Sequence, residues 1–331
     1  MSNLTTLDRF VGALLGHAVG DALGAPFETK TASEVASMLG PQPLMHREFE
    51  DPFCKGRIIP AGSVTDDTEL TYAFAQSLLT GTFSQEDQFA RYRALVHGDA
   101  LSPFTGVKPY GFGGLTKQAL AHPRLAKMFR DTTIPDRASN GSLMRIAPLA
   151  LAGVVNQGDD AVFRYAAQAS EITHRNDLAI ILCATYTVVL HCCLEDKPWS
   201  ITGLLSTRYI ASNARCSAAN LVQAVYEYPM LDIGLKRGAA LETFRLALCA
   251  MVVADGVPKD NFRAGMEWVI LQGGDTDTNA AVAGALLGAR YGASGIPKEW
   301  ALGLYDDTAK NISKAAIGLW DIYNGIKKFV W

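Results

Sequence analysis

The sequence predicts an almost wholly α-helical protein, folded as one compact domain over residues 1–331. Apolar residues recur at helical spacing in several long segments, whereas no stretch alternates apolar and polar residues over a convincing strand length. No internal repeat of fixed period is visible. At 331 residues, with 49% hydrophobic and 19% charged residues, a single helical domain can bury a large core.

Charge and cysteine content argue against a nucleic-acid-binding, membrane-binding or disulfide-bonded protein. A net charge of −3 gives no electrostatic reason to expect general binding to nucleic acid or to an anionic membrane. The six cysteines form no C-x-x-C pair, and several lie in apolar segments, which is typical of buried thiols in a reducing cytoplasm. The N-terminus has no basic segment and no cleavage motif, so we expect no signal peptide. We therefore expect a cytoplasmic monomer without a membrane partner.

The first predicted helix covers residues 7–24, where seven apolar residues follow helical spacing. Glycines occupy every fourth position along it, at Gly12, Gly16, Gly20 and Gly24. They share one helix face, which allows another backbone to come close. A short proline-containing loop ends the helix at residues 25–28. Asp21 and Glu28 are candidate functional acids, although a structural Asp21 and a solvated Glu28 are the simpler interpretations.

A long surface connection is predicted next, because residues 40–64 are rich in proline and glycine. It leads into a cluster of oxygen-bearing side chains, Thr65, Asp66, Asp67, Thr68 and Glu69, at the start of an apolar helix. Helix capping is the simplest interpretation of such a cluster. Adjacent carboxylates repel each other, however, and a helix N-terminus relieves that repulsion only in part. A bound divalent cation is the alternative.

Two further helices are predicted over residues 83–96 and 116–121, on either side of a glycine-rich loop that contains Gly111 and Gly113. The next site candidate is the loop of Ser139, Asn140, Gly141 and Ser142, before an apolar run. Its free amides and hydroxyls are suited to a pyrophosphate, with Arg145 adding charge. The alternative is an ordinary capped turn, with Arg145 in a structural ion pair.

A histidine, His174, lies in a further predicted helix that includes residues 173–177. A lone histidine is more often a core or surface residue than a catalyst, and no second histidine lies at metal-ligand spacing. Residues 178–194 carry no charge, which approaches the length of a membrane span. Because four polar residues interrupt this stretch, it predicts a buried core helix instead.

The last candidate segment is residues 271–292, where two glycines precede Asp275, Asp277 and Thr278 and a run of small apolar residues follows. This pattern predicts a buried helix that begins with hard oxygen donors, which suit Mg²⁺, Mn²⁺ or Ca²⁺ rather than zinc. Glycines at 284, 288 and 292 repeat the spacing of the first helix, so we expect the two glycine faces to pack together. That packing would bring Asp21 and Glu28 toward Asp275 and Asp277.

Five of these motifs, taken in chain order, resemble the motif set of the ADP-ribosylglycohydrolase family. That family includes dinitrogenase-reductase-activating glycohydrolase and the ADP-ribosylarginine hydrolases. The motifs lie at residues 16–24, 65–68, 140–145, 173–174 and 273–278. The resemblance extends from about residue 8 to residue 292. It implies an all-α, orthogonally packed helical bundle that holds two divalent cations, Mg²⁺ or Mn²⁺, and removes ADP-ribose from a modified protein side chain.

The resemblance also implies roles for individual residues. It gives the metal ligands as Thr65, Asp66, Asp67, Asp275, Asp277 and Thr278. It places Glu28 where a catalytically important glutamate lies in parts of the family, and we expect Glu28 to relay a proton. The expected lining of the ADP-ribose cleft is Asp21, Gly111, Gly113, Ser139, Asn140, Gly141, Ser142 and His174. The expected partners are ADP-ribose and an ADP-ribosylated protein.

One departure concerns the acceptor side chain. In the dinitrogenase-reductase group an aspartate precedes the G-x-x-T loop, whereas here residues 109–116 read PYGFGGLT and carry no carboxylate. Arginine is the favoured acceptor, and serine or another residue stays open. Two other functions are compatible with the same ligands: a binuclear-metal phosphoester hydrolase, or a non-catalytic member such as the lens crystallins of this family. Retention of all six oxygen ligands argues against the non-catalytic member.

Overall fold

The computed structural model describes residues 4–121, 138–198 and 238–331. Within these ranges nearly all regular structure is helical, which confirms the predicted all-α class. The exception is an antiparallel pair of two-residue strands, β1 (Phe49–Glu50) and β2 (Ile58–Ile59), in the segment predicted as a surface connection. Strands of two residues are too short to produce a visible alternation in the sequence.

The helices fill the described part of the chain from end to end. In chain order they are α1 (Thr6–Gly24), α2 (Ala32–Leu39), α3 (Asp66–Leu78), α4 (Gln85–His97), α5 (Gly114–Ala121), α6 (Ala147–Leu151), α7 (Asp159–Glu171), α8 (Asp177–Leu194), α9 (Ala240–Asp255), α10 (Asn261–Leu271), α11 (Thr276–Tyr291), α12 (Lys298–Leu302) and α13 (Thr308–Tyr323). Their apolar faces meet in a continuous core that includes side chains from all three described ranges.

Helices α1 and α11 pack against each other through their glycines, as the sequence predicts. A Cβ built on Gly12 would lie 2.3 Å from the carbonyl oxygen of Gly288. Near the other end, the Thr276 hydroxyl donates to the Gly24 carbonyl at 2.9 Å, so the two helices run antiparallel. Because the backbones touch, only glycine fits at positions 12, 16, 20 and 24 of α1. The end of α1 is thereby fixed beside the start of α11.

Two segments are long and apolar enough to cross a membrane by length and composition alone, Thr6–Phe27 and α8. The fold buries 94% of the 18-residue apolar stretch in the first segment and 72% of that in the second. The side chains of α8 contribute to the common core, as predicted for residues 178–194. Burial of this extent is the arrangement of core helices.

The predicted helix around residues 173–177 is not continuous. α7 ends at Glu171, and α8 begins at Asp177. The side chain of Asn176 accepts hydrogen bonds from the amides of Leu178 and Ala179 and so caps a new helix. His174 therefore lies on a connecting turn, where its ring can reach a cavity.

The described cysteines are free thiols, as expected. Cys183 and Cys193 are buried, whereas Cys54 is exposed on the loop between the two short strands. Burial raises the pKa of the Cys183 thiol to about 11, so this group is neutral and packs as a small apolar residue. Cys216 lies outside the described residues.

Candidate active site

Asp21 connects helix α1 to the start of helix α3. Its carboxylate accepts hydrogen bonds from the amide of Thr65 at 3.0 Å and from the amide and hydroxyl of Thr68 at 3.1 and 2.5 Å. Burial raises the pKa of Asp21 to about 6, although the bonds from Thr68 and Thr65 oppose that rise. Asp21 is 0% exposed and is not among the residues that line the cleft, so its contacts position the start of α3, while the expected contact with substrate stays a prediction.

The start of α11 brings three carboxylates together. Oxygen atoms of Glu28, Asp275 and Asp277 all lie within 4.8 Å of one another. Backbone hydrogen bonds hold this arrangement, because the Thr29 amide donates to the Gly274 carbonyl at 2.8 Å and the Gly274 amide donates to the Lys30 carbonyl at 2.7 Å. The positive φ of Gly274, 82°, permits the turn that makes both bonds.

The two acidic helix starts meet, as the ligand set implied by the family resemblance requires. The hydroxyls of Thr65, in the first cluster, and Thr278, in the second, both donate to Asp67 Oδ2 at 3.2 Å. Asp66 also faces this region, since its carboxyl lies close enough to Asp275 for their charges to interact. Side chains about 200 residues apart in sequence therefore surround one small volume.

The carboxyl groups of this site resist ionisation in the absence of a cation. Burial first, and the neighbouring charges of Asp21 and Asp275 second, raise the pKa of Asp66 to about 8, although Lys117 opposes this rise. Burial first, and neighbouring carboxylates second, raise the pKa of Asp67 and that of Asp277 well above the ordinary range. A positive charge between these groups would reverse that effect.

Unpartnered oxygens show where a cation fits. Asp67 Oδ1 and Asp277 Oδ1 are buried and have no hydrogen-bond partner among the residues that the structure describes. A buried carboxylate oxygen without a partner is costly, and hard carboxylate and hydroxyl oxygens are the ligands that Mg²⁺, Mn²⁺ and Ca²⁺ prefer. The residues present therefore suit a divalent metal site, with Glu28 beside the expected ligands Asp275 and Asp277.

The acids line one part of a cavity of about 680 Å³. Most of the expected site residues contribute to its wall: Glu28, Asp66, Asp67, Gly111, Gly113, Ser139, Asn140, Gly141, His174, Asp275, Asp277 and Thr278. Besides Asp21, two expected site residues are absent from that wall. Thr65 lies beneath it as the N-cap of α3, and Ser142 is buried behind it, where its hydroxyl accepts from Ser170. A substrate role for Ser142 is not supported by its position.

The loop at residues 139–142 is less open than predicted. The Asn140 amide donates to the Gly238 carbonyl at 2.9 Å, so it is not free to bind a ligand. The Asn140 side chain donates to Asp275 Oδ2 at 2.7 Å and orients that carboxylate. Arg145 is 1% exposed and donates to the carbonyl of Gly141 and the hydroxyl of Thr173. Arg145 therefore has the structural role, through neutral acceptors instead of the suggested ion pair.

His174 lies against the same loop. A Cβ on Gly141 would lie 2.7 Å from the imidazole Cε1, so the glycine makes room for the ring. Nδ1 shares a hydrogen bond of 2.7 Å with the Thr173 hydroxyl. Burial first, and the charge of Arg145 second, lower the pKa of His174 to about 3. The ring is therefore neutral at physiological pH, which suits hydrogen bonding to a ligand better than proton transfer.

Three further residues of the cavity wall, Arg57, Tyr110 and Lys117, were not predicted from the sequence. Arg57 donates to the Lys108 carbonyl at 3.1 Å, and its guanidinium lies 5.0 Å from the centre of the Tyr110 ring. The Tyr110 hydroxyl is buried without a partner among the described side chains and backbone. Lys117 also faces the cleft and supplies positive charge. Arg57 and Tyr110 occur in segments without apolar periodicity, and Lys117 lies in a predicted helix without clustered oxygen donors, so no sequence signal marked them.

Comparisons with known proteins agree with this geometry. A sequence model described as ADP-ribosylglycohydrolase matches residues 2–325. ADP-ribosyl-[dinitrogen reductase] glycohydrolase of Rhodospirillum rubrum is 28% identical over 304 residues, which cover 91% of each chain. ADP-ribosylarginine hydrolase Tri1 of Pseudomonas putida (strain GB-1) is 29% identical over 303 residues, 89% of this chain and 73% of the relative.

A human protein and a solved structure show the same similarity. ADP-ribosylhydrolase ARH3 of Homo sapiens is 27% identical over 337 residues, 89% of this chain and 88% of the relative. A solved structure titled "ADP-ribosylglycohydrolase-related protein complex" superposes with a TM-score of 0.70 at 29% identity. That match covers 96% of this chain and 99% of the solved chain. The whole described fold, and not only the acidic motifs, is therefore shared.

Proposed function

We propose that this chain, which belongs to the ADP-ribosylglycohydrolase family and is a hydrolase of ADP-ribose glycosidic bonds, removes ADP-ribose from a modified protein side chain with two bound divalent cations. The observation that carries the proposal is the meeting of two acidic helix starts, those of α3 and α11, in the wall of one cleft. Glu28 lies at the same place, on the loop that follows α1.

Mg²⁺ or Mn²⁺ would be held by Thr65, Asp66, Asp67, Asp275, Asp277 and Thr278. When bound, the cations would supply Lewis-acid chemistry that stabilises the charge developing in the reaction. The buried, unpartnered oxygens of Asp67 and Asp277 support this assignment. The raised pKa values of the carboxyl groups also support it. They show that several buried acids lie close together, and a bound cation would relieve the repulsion between their charges.

The chain's own residues orient the substrate and move the proton. Glu28 lies within 4.8 Å of Asp275 and Asp277, where it can transfer a proton to or from the reacting group at the distal ribose. Asn140 keeps the Asp275 carboxylate in place through its 2.7 Å hydrogen bond. The neutral ring of His174 offers a hydrogen-bonding group on the wall of the cleft without competing for that proton.

The cleft has two walls that suit the rest of ADP-ribose. The pyrophosphate is placed in the cleft near the loop of residues 139–141, and because the Asn140 amide is already engaged there, charged side chains must bind it. Arg57, Lys108 and Lys117 line the cavity and supply the positive charge that a pyrophosphate requires. A phosphoester hydrolase would not need a cavity of about 680 Å³ with this charge distribution.

Arginine is the favoured acceptor, and serine is the alternative. Support for arginine comes from the relatives, since one of them is named for hydrolysis of ADP-ribosylarginine. The protein is expected to act on an ADP-ribosylated protein and to release free ADP-ribose.

The test is to incubate the protein with ADP-ribosylated arginine and serine peptides, with Mg²⁺ or Mn²⁺ and after treatment with EDTA. We expect release of ADP-ribose from the arginine peptide in the presence of metal and none after EDTA. Calorimetry should also show competitive binding of ADP-ribose to the metal-loaded protein. No release from either peptide, together with no binding of ADP-ribose, would contradict the proposal.

A further inference from the structure

A second cavity, of about 390 Å³, adjoins the main cleft. Two residues line both cavities, Glu28 and Asp51. Glu28 belongs to the acidic site, whereas Asp51 follows strand β1 on the loop that leads to β2. The second cavity thus opens at the side chain placed nearest to the reaction.

The chemistry of the proposed function, on which this inference rests, requires space on both sides of the bond that breaks. ADP-ribose lies on one side of that bond, and the acceptor side chain with its protein backbone lies on the other. If Glu28 transfers the proton, the bond lies beside Glu28. The larger cavity takes ADP-ribose, so the smaller cavity, which meets it at Glu28, is in the right position for the acceptor.

Asp51 is a charged group held in place at this junction. It is 5% exposed, and its Oδ1 accepts a hydrogen bond from the Phe53 amide at 2.8 Å. Its Oδ2 lies 3.8 Å from Arg57 Nη1, which is longer than a hydrogen bond. Arg57 directs its other amino group to the Lys108 carbonyl. The Asp51 carboxylate is therefore oriented by the loop, while its contact with Arg57 is electrostatic only.

The charge of Asp51 reaches the reaction site. It contributes to the raised pKa of Glu28, after burial and the larger effects of the Asp275 and Asp66 charges. The other charged groups in the second cavity are Glu50, Lys30 and Lys55. Glu50 and Lys55 are exposed at the surface, whereas Asp51 is buried next to Glu28. Asp51 is thus the buried carboxylate that a cationic acceptor would meet beside the bond to be cleaved.

The loop at residues 109–116 offers no carboxylate for this purpose. It cannot readily gain one at Gly111, because a Cβ there would lie 2.5 Å from Asp66 Oδ1 and the φ of this glycine is 95°. Recognition of a guanidinium by this chain must therefore come from another segment. Carboxylates bind guanidinium groups through paired, charge-assisted hydrogen bonds.

We propose that the second cavity receives the acceptor side chain and that Asp51 binds the guanidinium of an ADP-ribosylated arginine there. Asp51 is then a specificity-determining residue for the acceptor, at the border between the two cavities. Removal of the Asp51 carboxylate weakens the preference for arginine over serine, because the guanidinium of the substrate then loses its charge-assisted hydrogen bond.

The test compares Asp51→Asn with the parent on ADP-ribosylated arginine and serine peptides at saturating Mg²⁺. We expect kcat/KM for the arginine peptide to fall about 10- to 100-fold, the usual size for a hydrogen bond to a charged group. ADP-ribose affinity by calorimetry, melting temperature and any turnover of the serine peptide should stay close to the parent values. Asp51→Glu should recover part of the activity, and Glu48→Gln, an exposed neighbour outside both cavities, serves as the control.

Four outcomes overturn the inference. Undiminished arginine turnover in Asp51→Asn would remove Asp51 from recognition. If ADP-ribose affinity and the melting temperature of Asp51→Asn fell together with arginine turnover, Asp51 would only support the loop. A parent protein that acts on the serine peptide alone would refute the arginine subsite while leaving the proposed function intact, whereas release from neither peptide would refute both.

Discussion

Single acids in this protein differ in role because their surroundings differ. Asp21 accepts hydrogen bonds from Thr65 and Thr68, so its carboxylate is fully engaged in joining two helices. Asp67 and Asp277 each keep one buried oxygen without a partner among the described residues. The same type of side chain thus joins two helices at Asp21 and presents an unpartnered buried oxygen at Asp67 and Asp277.

Glu28 is the residue whose substitution tests the chemistry. Glu28→Gln keeps the size of the side chain and removes the transferable proton. We expect the single-turnover rate at saturating Mg²⁺ to fall about 10²- to 10⁴-fold, as is usual when a general acid or base is lost. Metal and ADP-ribose affinities should fall much less.

A different result would assign Glu28 another role. If Glu28 only controls access to the cleft, Glu28→Gln would change the apparent affinity for substrate and leave the single-turnover rate nearly unaltered. A variant as fast as the parent would remove Glu28 from proton transfer.

The sequence predicts the acids of the site better than the rest of the cleft. Thr65, Asp67 and Asp277 stand at helix starts, where clustered oxygen donors are visible without any structure. Asp51 and Tyr110 occur in irregular segments, and only tertiary packing brings them to the same cavity. Ser142 shows the opposite case, because its motif was visible but the turn directs its hydroxyl into the interior.

At the scale of elements, the pairing of α1 with α11 sets the geometry of the site. A Cβ on Gly16 would lie 2.3 Å from the carbonyl oxygen of Gly284, so any side chain at this position must separate the two helices. This contact was predictable, because glycines at every fourth residue mark both helices. The β1–β2 pair and the break before α8 were not, since both depend on very local hydrogen bonds.

Gly16→Ala tests this packing. We expect the free energy of unfolding, measured by urea denaturation, to fall by about 1–3 kcal/mol, because an overpacked core must shift to admit the methyl group. Gly114→Ala is the matched control, since a Cβ at Gly114 would contact nothing within 4 Å. If Gly16→Ala were as stable as the parent, the close approach of α1 and α11 would be wrong.

For the whole molecule, the fold gathers acids from distant parts of the chain, and their repulsion must be relieved by protons or by cations. Burial raises the pKa of Asp21 to about 6, and burial together with neighbouring charges raises the pKa values of Glu28 and Asp66 to about 8. A carboxyl with a raised pKa binds protons more tightly in the folded than in the unfolded state. Its contribution to stability is therefore complete in acid and is lost as the pH rises through the folded pKa.

This linkage gives the most direct test of the claim that the two acidic helix starts form a divalent metal site: the melting temperature as a function of pH, in EDTA and with Mg²⁺ or Mn²⁺. Without metal, we expect the melting temperature to fall as the pH rises from about 4 through 8. With metal, it should be higher and decline less, because the cation replaces the protons and binds only the folded state. Asp67→Asn and Asp277→Asn should fold, lose most of this metal response and lose hydrolysis. Superimposable curves in EDTA and in metal would contradict the assignment of a metal site.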